Sequence, residues 1–193
     1  MNDVINSIIN KSIAVKTAMV ADPYYATTIA NIVAVMVHAF TNENKVLFCG
    51  NGGSAADAQH LAAEFSGRFY TDRPALYAEA LHCNTSYITA VGNDYSFDVI
   101  YSRMLQGMGK QGDVLVGIST SGNSKNIVNA MQTAKDKKMI TIGMTGASGG
   151  NIKPFSDYLL NVPSIDTPRI QESHILLGHI ICQLIEEKLF PIN

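Results

Sequence analysis

The stretch Phe48–Phe69, FCGNGGSAADAQHLAAEFSGRF, leaves an apolar strand, turns through Gly50-Asn51-Gly52-Gly53-Ser54 and enters an alanine-rich helix. Apolar run, glycine turn and helix, in that order, form the repeating step of an α/β protein. On a helix starting near Ser54, His60 and Glu64 stand four residues apart, so both project from one face, about 5–6 Å from each other. A plain connection needs neither side chain there, so the stretch bears on chemistry as well as on fold.

The same alternation fills the rest of the chain. Strands are expected at KVLFCG, around ALYAEAL, and at DVLVGIS, MITIGMTG and YLLNVP. Helices are expected from Ser54, in SYITAV and FDVIYSRML, from Ser124, and from Pro168 to Phe190. Short apolar strands separated by helices predict a doubly wound parallel sheet flanked by helices. No repeat, charge block or Pro/Ser linker divides the sequence, so residues 1–193 are read as one domain, with TGASGGNIKPF as a long Gly-rich connection. Ahead of the sheet, Val4, Ile8, Ile9, Ile13 and Val15 mark a helix that Pro23 interrupts, and a second runs from about Tyr25 to Phe40. In that second helix Ile29, Ile32, Val33, Val35, Met36 and Val37 cover more than one face, which predicts an oligomer.

Composition narrows the classes. A formal charge of −2 and a pI near 6.2 give no basic field for a phosphate backbone, so no nucleic-acid partner is expected. Cys49, Cys83 and Cys182 form no C-x-x-C pair and read as reduced thiols in small core positions. MNDVINSIINKSIAVKTAMV does not read as a signal peptide. IANIVAVMVHAF falls short of a membrane span, so the expectation is a soluble, cytoplasmic protein with no membrane partner.

A second polar loop, Ser119-Thr120-Ser121-Gly122-Asn123-Ser124, follows VLVGI as the first follows VLF. Each offers backbone N–H donors, short hydroxyl or amide side chains and a helix N-terminus, which suits a phosphate. Taken singly, Ser54 and Ser124 read equally well as N-caps and the glycines as a tight turn. Two such loops in one sheet favour a ligand. A dinucleotide fingerprint, Gly50-x-Gly52-x-x-Ala55, ranks below this: Glu79 or Asp72 supplies its acidic residue only loosely and the second loop stays unexplained, so no nucleotide cofactor is expected.

The closing helix carries Gln171, Ile175 and His179 at successive fourth positions. A carboxylate and an imidazole can serve one substrate as base and acid, each worth ~10²–10⁴ in rate. The bland alternatives are a hydrogen-bonded core histidine and a surface Glu64–Arg68 pair. His60, Glu64, Gln171 and His179 can also hold a metal such as zinc, although Gln is an uncommon ligand and a zinc-bound Glu is a poorer base. Spacing alone favours acid–base roles.

The motifs CGNGGSAADAQHLAAEFSGRF, AVGNDYSFDVIYSRML, GISTSGNSKNI and TPRIQESHILLGHIICQLIE together resemble the phosphoheptose isomerases of the sugar-isomerase (SIS) fold, over nearly the whole chain. The resemblance implies a homotetramer with sites built between subunits. It implies an aldose–ketose isomerase interconverting D-sedoheptulose 7-phosphate and D-glycero-D-manno-heptose 7-phosphate through an enediol, for bacterial surface heptose in lipopolysaccharide or another glycan. Implied substrate contacts are Asn51, Gly52, Gly53, Ser54, Glu64, Asn93, Asp94, Ser119, Thr120, Ser121, Ser124 and Gln171, with Glu64 the base and His179 the acid. It also implies Zn²⁺ on His60, Glu64, Gln171 and His179; Arg68 matches a family position, while Pro168 stands where some relatives carry an acid. Some neighbouring SIS proteins are instead non-catalytic partners of the bacterial replication initiator, and that is the alternative reading; such a protein has no need of the acid–base pair that this chain retains.

Overall fold

The computed structural model describes residues 1–191. Five parallel strands form one sheet in the order β2-β1-β3-β4-β5. They are β1 Val46–Gly50, β2 Ala78–Ala80, β3 Val114–Ile118, β4 Ile140–Thr145 and β5 Tyr158–Asn161. Helices α1 Asn2–Ala21 and α2 Pro23–Thr41 precede the sheet, and α3 Gly53–Ser66 follows β1. After β2 come α4 Thr85–Asp94 and α5 Ile100–Met108; α6 Lys125–Asp136 follows β3 and α7 Thr167–Leu189 is the last described helix.

The strands read as unbroken apolar runs because both faces of the sheet are covered. Successive side chains alternate sides. Val46, Phe48, Val114 and Val116 pack with α2, α3 and α7 residues, including Ile32, Phe65 and Leu177. Leu47, Cys49 and Leu115 pack on the other side with Tyr101, Leu105, Ile127 and Met131 of α5 and α6. The helices on the first side matter most for chemistry, since α3 and α7 lie alongside each other there.

Several expectations are corrected. Pro23 starts α2 rather than preceding a later start: it occupies the first helical turn, where its missing N–H costs nothing, and the Asp22 side chain accepts from the Tyr24 N–H. The strand expected across ALYAEAL is three residues long, and TGASGGNIKPF contains a 3-10 helix, Gly150–Phe155. Cys83 is exposed, while Cys49 and Cys182 are buried. By length and composition α2 is apolar enough to cross a membrane, which the shorter run IANIVAVMVHAF did not suggest. Its apolar surface is covered in part within the chain, by α7, α1 and β5, with Ile29, Ile32, Val33 and Met36 buried, Val35 and Val37 half-buried, and Ala26, Ala30 and Ala34 exposed. Apolar surface is open on α1 as well, where Val4, Ile5, Ile8, Ile9 and Ile13 are each roughly half exposed or more.

Candidate active site

Three pairings fix how α3 and α7 meet. The amide of Gln171 lies against Gly53: a Cβ there would stand 2.6 Å from Gln171 Nε2. One helical stretch further on, a Cβ at Gly178 would stand 2.6 Å from both methyls of the buried Leu61. Beside that contact, His60 Nε2 and His179 Nε2 are 3.0 Å apart, and His60 Nε2 is 3.2 Å from Glu64 Oε1. The helices thus run in the same direction, residue 53 beside 171 and 60 beside 179, and the bare Cα of Gly178 permits their close approach.

The sequence spacing put His60 and Glu64 on one face; the second helix adds His179. With no metal, a 3.0 Å Nε2–Nε2 contact requires one imidazole to donate to the other. Glu64 pairs with His60 rather than Arg68 and is about a fifth exposed. Ligand atoms of His60, Glu64 and His179 all lie within 4.8 Å of one another. Tetrahedral Zn²⁺ with bonds of about 2.0–2.1 Å places its ligand atoms roughly 3.3 Å apart, close to the separations just described. Two imidazoles and a carboxylate with a fourth position left over also form a donor set suited to catalytic zinc. The three residues therefore fit the ion. Gln171 is not brought into the cluster: eight residues before His179, it is about 12 Å back along α7.

The phosphate-type loops are braced as one unit. Asn51 and Asn126 exchange two amide hydrogen bonds of 2.9 and 2.8 Å, joining the first loop to the start of α6. Tyr101 donates its hydroxyl to the Gly50 carbonyl at 2.6 Å. Ser54 lies inside α3 and Ser124 at the N-cap of α6, neither capping through its side chain; Ser124 Oγ is instead 3.2 Å from Ser119 Oγ. The Gly-rich connection supports the serine loop from below: Gly146 N donates to Thr120 O, Ile152 N to Gly122 O and Asn151 N to Asn123 Oδ1. A cleft of ≈ 240 Å³ opens beside it, lined by Thr120, Ser121, Ser148, Ser164 and Thr167 among others.

Comparisons with known proteins agree with this architecture. The SIS domain family matches residues 10–146. The phosphoheptose isomerase of Aneurinibacillus thermoaerophilus is 52% identical over 190 residues, 98% of this chain and 96% of its own. Phosphoheptose isomerase 2 of Campylobacter jejuni is 50% identical, again over 98% of this chain, and 94% of its own. The chain belongs to the phosphoheptose isomerases of the SIS family. A solved phosphoheptose isomerase from Neisseria gonorrhoeae superposes with a TM-score of 0.90 at 42% identity, covering 96% of this chain and 98% of that one.

In this chain, Asn93 and Asp94 close α4, exposed, with Asn93 Nδ2 donating to Asp94 Oδ1 at 2.9 Å. Helix α4 packs on α5 and the short 3-10 turn Phe97–Val99, not on the α3–α7 pair to any comparable extent. Sequence reasoning missed Asp57, one turn before His60. Its Oδ2 is buried without a partner; burial pushes the carboxyl up, and His60 and His179 pull it back down. It missed Asn126 too, whose position in the first turn of α6 was the available signal. Phe69 was also overlooked: its ring lies 5.7 Å from that of His179.

Proposed function

We propose that the protein interconverts D-sedoheptulose 7-phosphate and D-glycero-D-manno-heptose 7-phosphate, and that Glu64 and His179 carry the proton transfers. The observation that supports this most is the convergence of both side chains, from separate helices, on His60. Ser119, Thr120, Ser121 and Ser124 hold the C7 phosphate, with Ser54, Gly52 and Gly53 lining the other loop. Ser54 and His60 are six residues apart, about 9 Å along α3, a span that an open-chain seven-carbon phosphate bridges.

Glu64 takes a proton from C1 of the ketose while the His179 imidazolium gives one to O2, and a C1–C2 double bond forms. In the resulting enediol, neutral His179 removes the O1 proton as Glu64 returns its proton to C2, which leaves the aldose. Each group ends as it began. Holding the phosphate at one end positions the reacting carbons at the other. Zn²⁺ held by His60, Glu64 and His179 would polarise the sugar oxygens, but it would occupy the Glu64 and His179 lone pairs that these proton transfers use, so the metal-bound site and this acid–base cycle are alternative states of the same residues. Adding the Gln171 of the same chain to that set requires its amide to leave Gly53.

The reading extends to a cytoplasmic homotetramer of one SIS unit per chain, with surface-heptose synthesis as the use of the product. Support for assembly comes from the exposed apolar stripe of α1 and from the placement of Asn93 and Asp94 away from the α3–α7 pair. Incubation with sedoheptulose 7-phosphate in deuterated water is expected to give aldose with solvent deuterium at the exchanged carbons. Folded protein that neither turns over nor labels the sugar would overturn the assignment.

A further inference from the structure

We infer that Arg73 and Glu186 form a latch that positions both halves of the acid–base pair. The inference rests on the roles given above to Glu64 and His179. The two side chains make a buried ion pair, Arg73 Nε to Glu186 Oε2 at 3.1 Å, with only 2% and 4% of their side-chain surfaces exposed. Neither hydrogen-bonds a side chain of the cluster, yet each is tied to one member of it.

Arg73 reaches Glu64 through the backbone. Its Nη2 donates to the Glu64 carbonyl at 2.7 Å and Nη1 to the Phe65 carbonyl at 2.8 Å. These are among the last carbonyls of α3, which have no partner within the helix. A cation at that end also opposes the negative pole of the helix dipole. The guanidinium thus finishes the turn from which the Glu64 carboxylate projects.

Glu186 reaches His179 through the strap that follows α3. Its carboxylate accepts from the backbone N–H groups of Phe69 at 3.2 Å and of Tyr70 and Thr71 at 2.9 Å each. Seven residues apart, His179 and Glu186 share one face of α7. Pinned along that face, the strap sets the Phe69 ring against the His179 imidazole. All the acceptor capacity of the carboxylate goes to the strap and Arg73, which is more than an ion pair kept only for stability requires.

The test uses Arg73→Lys, which keeps the charge and loses the fork, Glu186→Gln, which keeps the shape, and Phe69→Leu, which leaves the latch intact. For each folded variant the assay reads kcat, KM and deuterium wash-in. A displacement of the reacting groups by about 1 Å predicts kcat and wash-in lower by about 10- to 100-fold with KM within about twofold, because the phosphate loops are untouched. Arg73→Lys/Glu186→Gln should be little worse than either single change, as expected for one coupled unit. Variants that melt earlier yet keep wild-type kcat per folded site overturn the inference. Should the wild type itself show no turnover, the function assignment fails and the latch is judged on the His179 ring resonances. Those resonances, shifted by the Phe69 ring, must move in Glu186→Gln; unmoved, they refute it.

Discussion

Lowering the pH from 7 to 5 should cost this protein about 2 kcal/mol of stability through one residue, His174. The ring is fully buried on α7, with Nε2 3.1 Å from the Thr145 carbonyl at the end of β4 and Nδ1 without a partner. Burial pushes its pKa down from 6.5 to about 4, and the Thr145 carbonyl offsets only part of that. Between those values the unfolded chain binds a proton that the folded chain refuses, so stability falls as the solution is acidified through 6.5 and stops falling near 4. With 1.36 kcal/mol per unit, the full window is worth about 3 kcal/mol, and the part between pH 7 and 5 about 2. His82, whose pKa burial also lowers, adds a contribution of the same sign. Asp113, Asp157, Glu172 and Glu186, held below the usual carboxylate range by their hydrogen bonds and cations, lose their contribution only at lower pH. The clean comparison is therefore with His174→Gln, which keeps an N–H donor for Thr145 and cannot titrate. Urea unfolding at pH 7 and 5, at one fixed protein concentration, should show a loss smaller by about 2 kcal/mol in the variant. Equal losses in the two proteins would refute the assignment of a neutral, proton-refusing imidazole at this site.

Glu64→Gln should lower kcat by ~10²–10⁴ or more while calorimetry still detects sugar-phosphate binding; near-normal kcat would remove Glu64 from the base role. Asn126→Ala deletes both amide hydrogen bonds to Asn51 and so loosens one phosphate loop from the other, raising KM by roughly 10-fold with a smaller effect on kcat. An unchanged KM in steady-state assays would mean that the loops hold their places without the bridge. Gly178→Ala drives a methyl into Leu61, costs about 1–3 kcal/mol in denaturant unfolding, and separates His179 from His60, so kcat should fall too. Wild-type stability in that variant would show that Leu61 simply rotates away.

The central strands were legible because a strand covered on both faces has no polar positions to confuse the pattern, as in Val114–Ile118. Edge strand β2 was overextended for a non-local reason. It pairs only with Val46–Phe48, and Leu76 ahead of it gives its N–H to the Phe65 carbonyl near the end of α3 instead of to a strand. Nothing in ALYAEAL records that competition. The apolar excess of α2 was read correctly as demanding a partner, and part of that partner is α7 of the same chain, since periodicity reports that a face must be covered and is silent on whether α7 or another chain covers it. At the site the division is the same. Spacing within α3 placed His60 beside Glu64, and spacing within α7 placed Gln171 on the stripe that leads to His179. Their different fates, His179 in the cluster and Gln171 against Gly53, follow from the parallel register of two helices more than a hundred residues apart in sequence. That register depends on Gly178, a residue with no side chain to attract notice. A sequence reading that sought small residues where two ligand-bearing helices must touch would have found it, and with it the reason that His60 and His179 share one position in space.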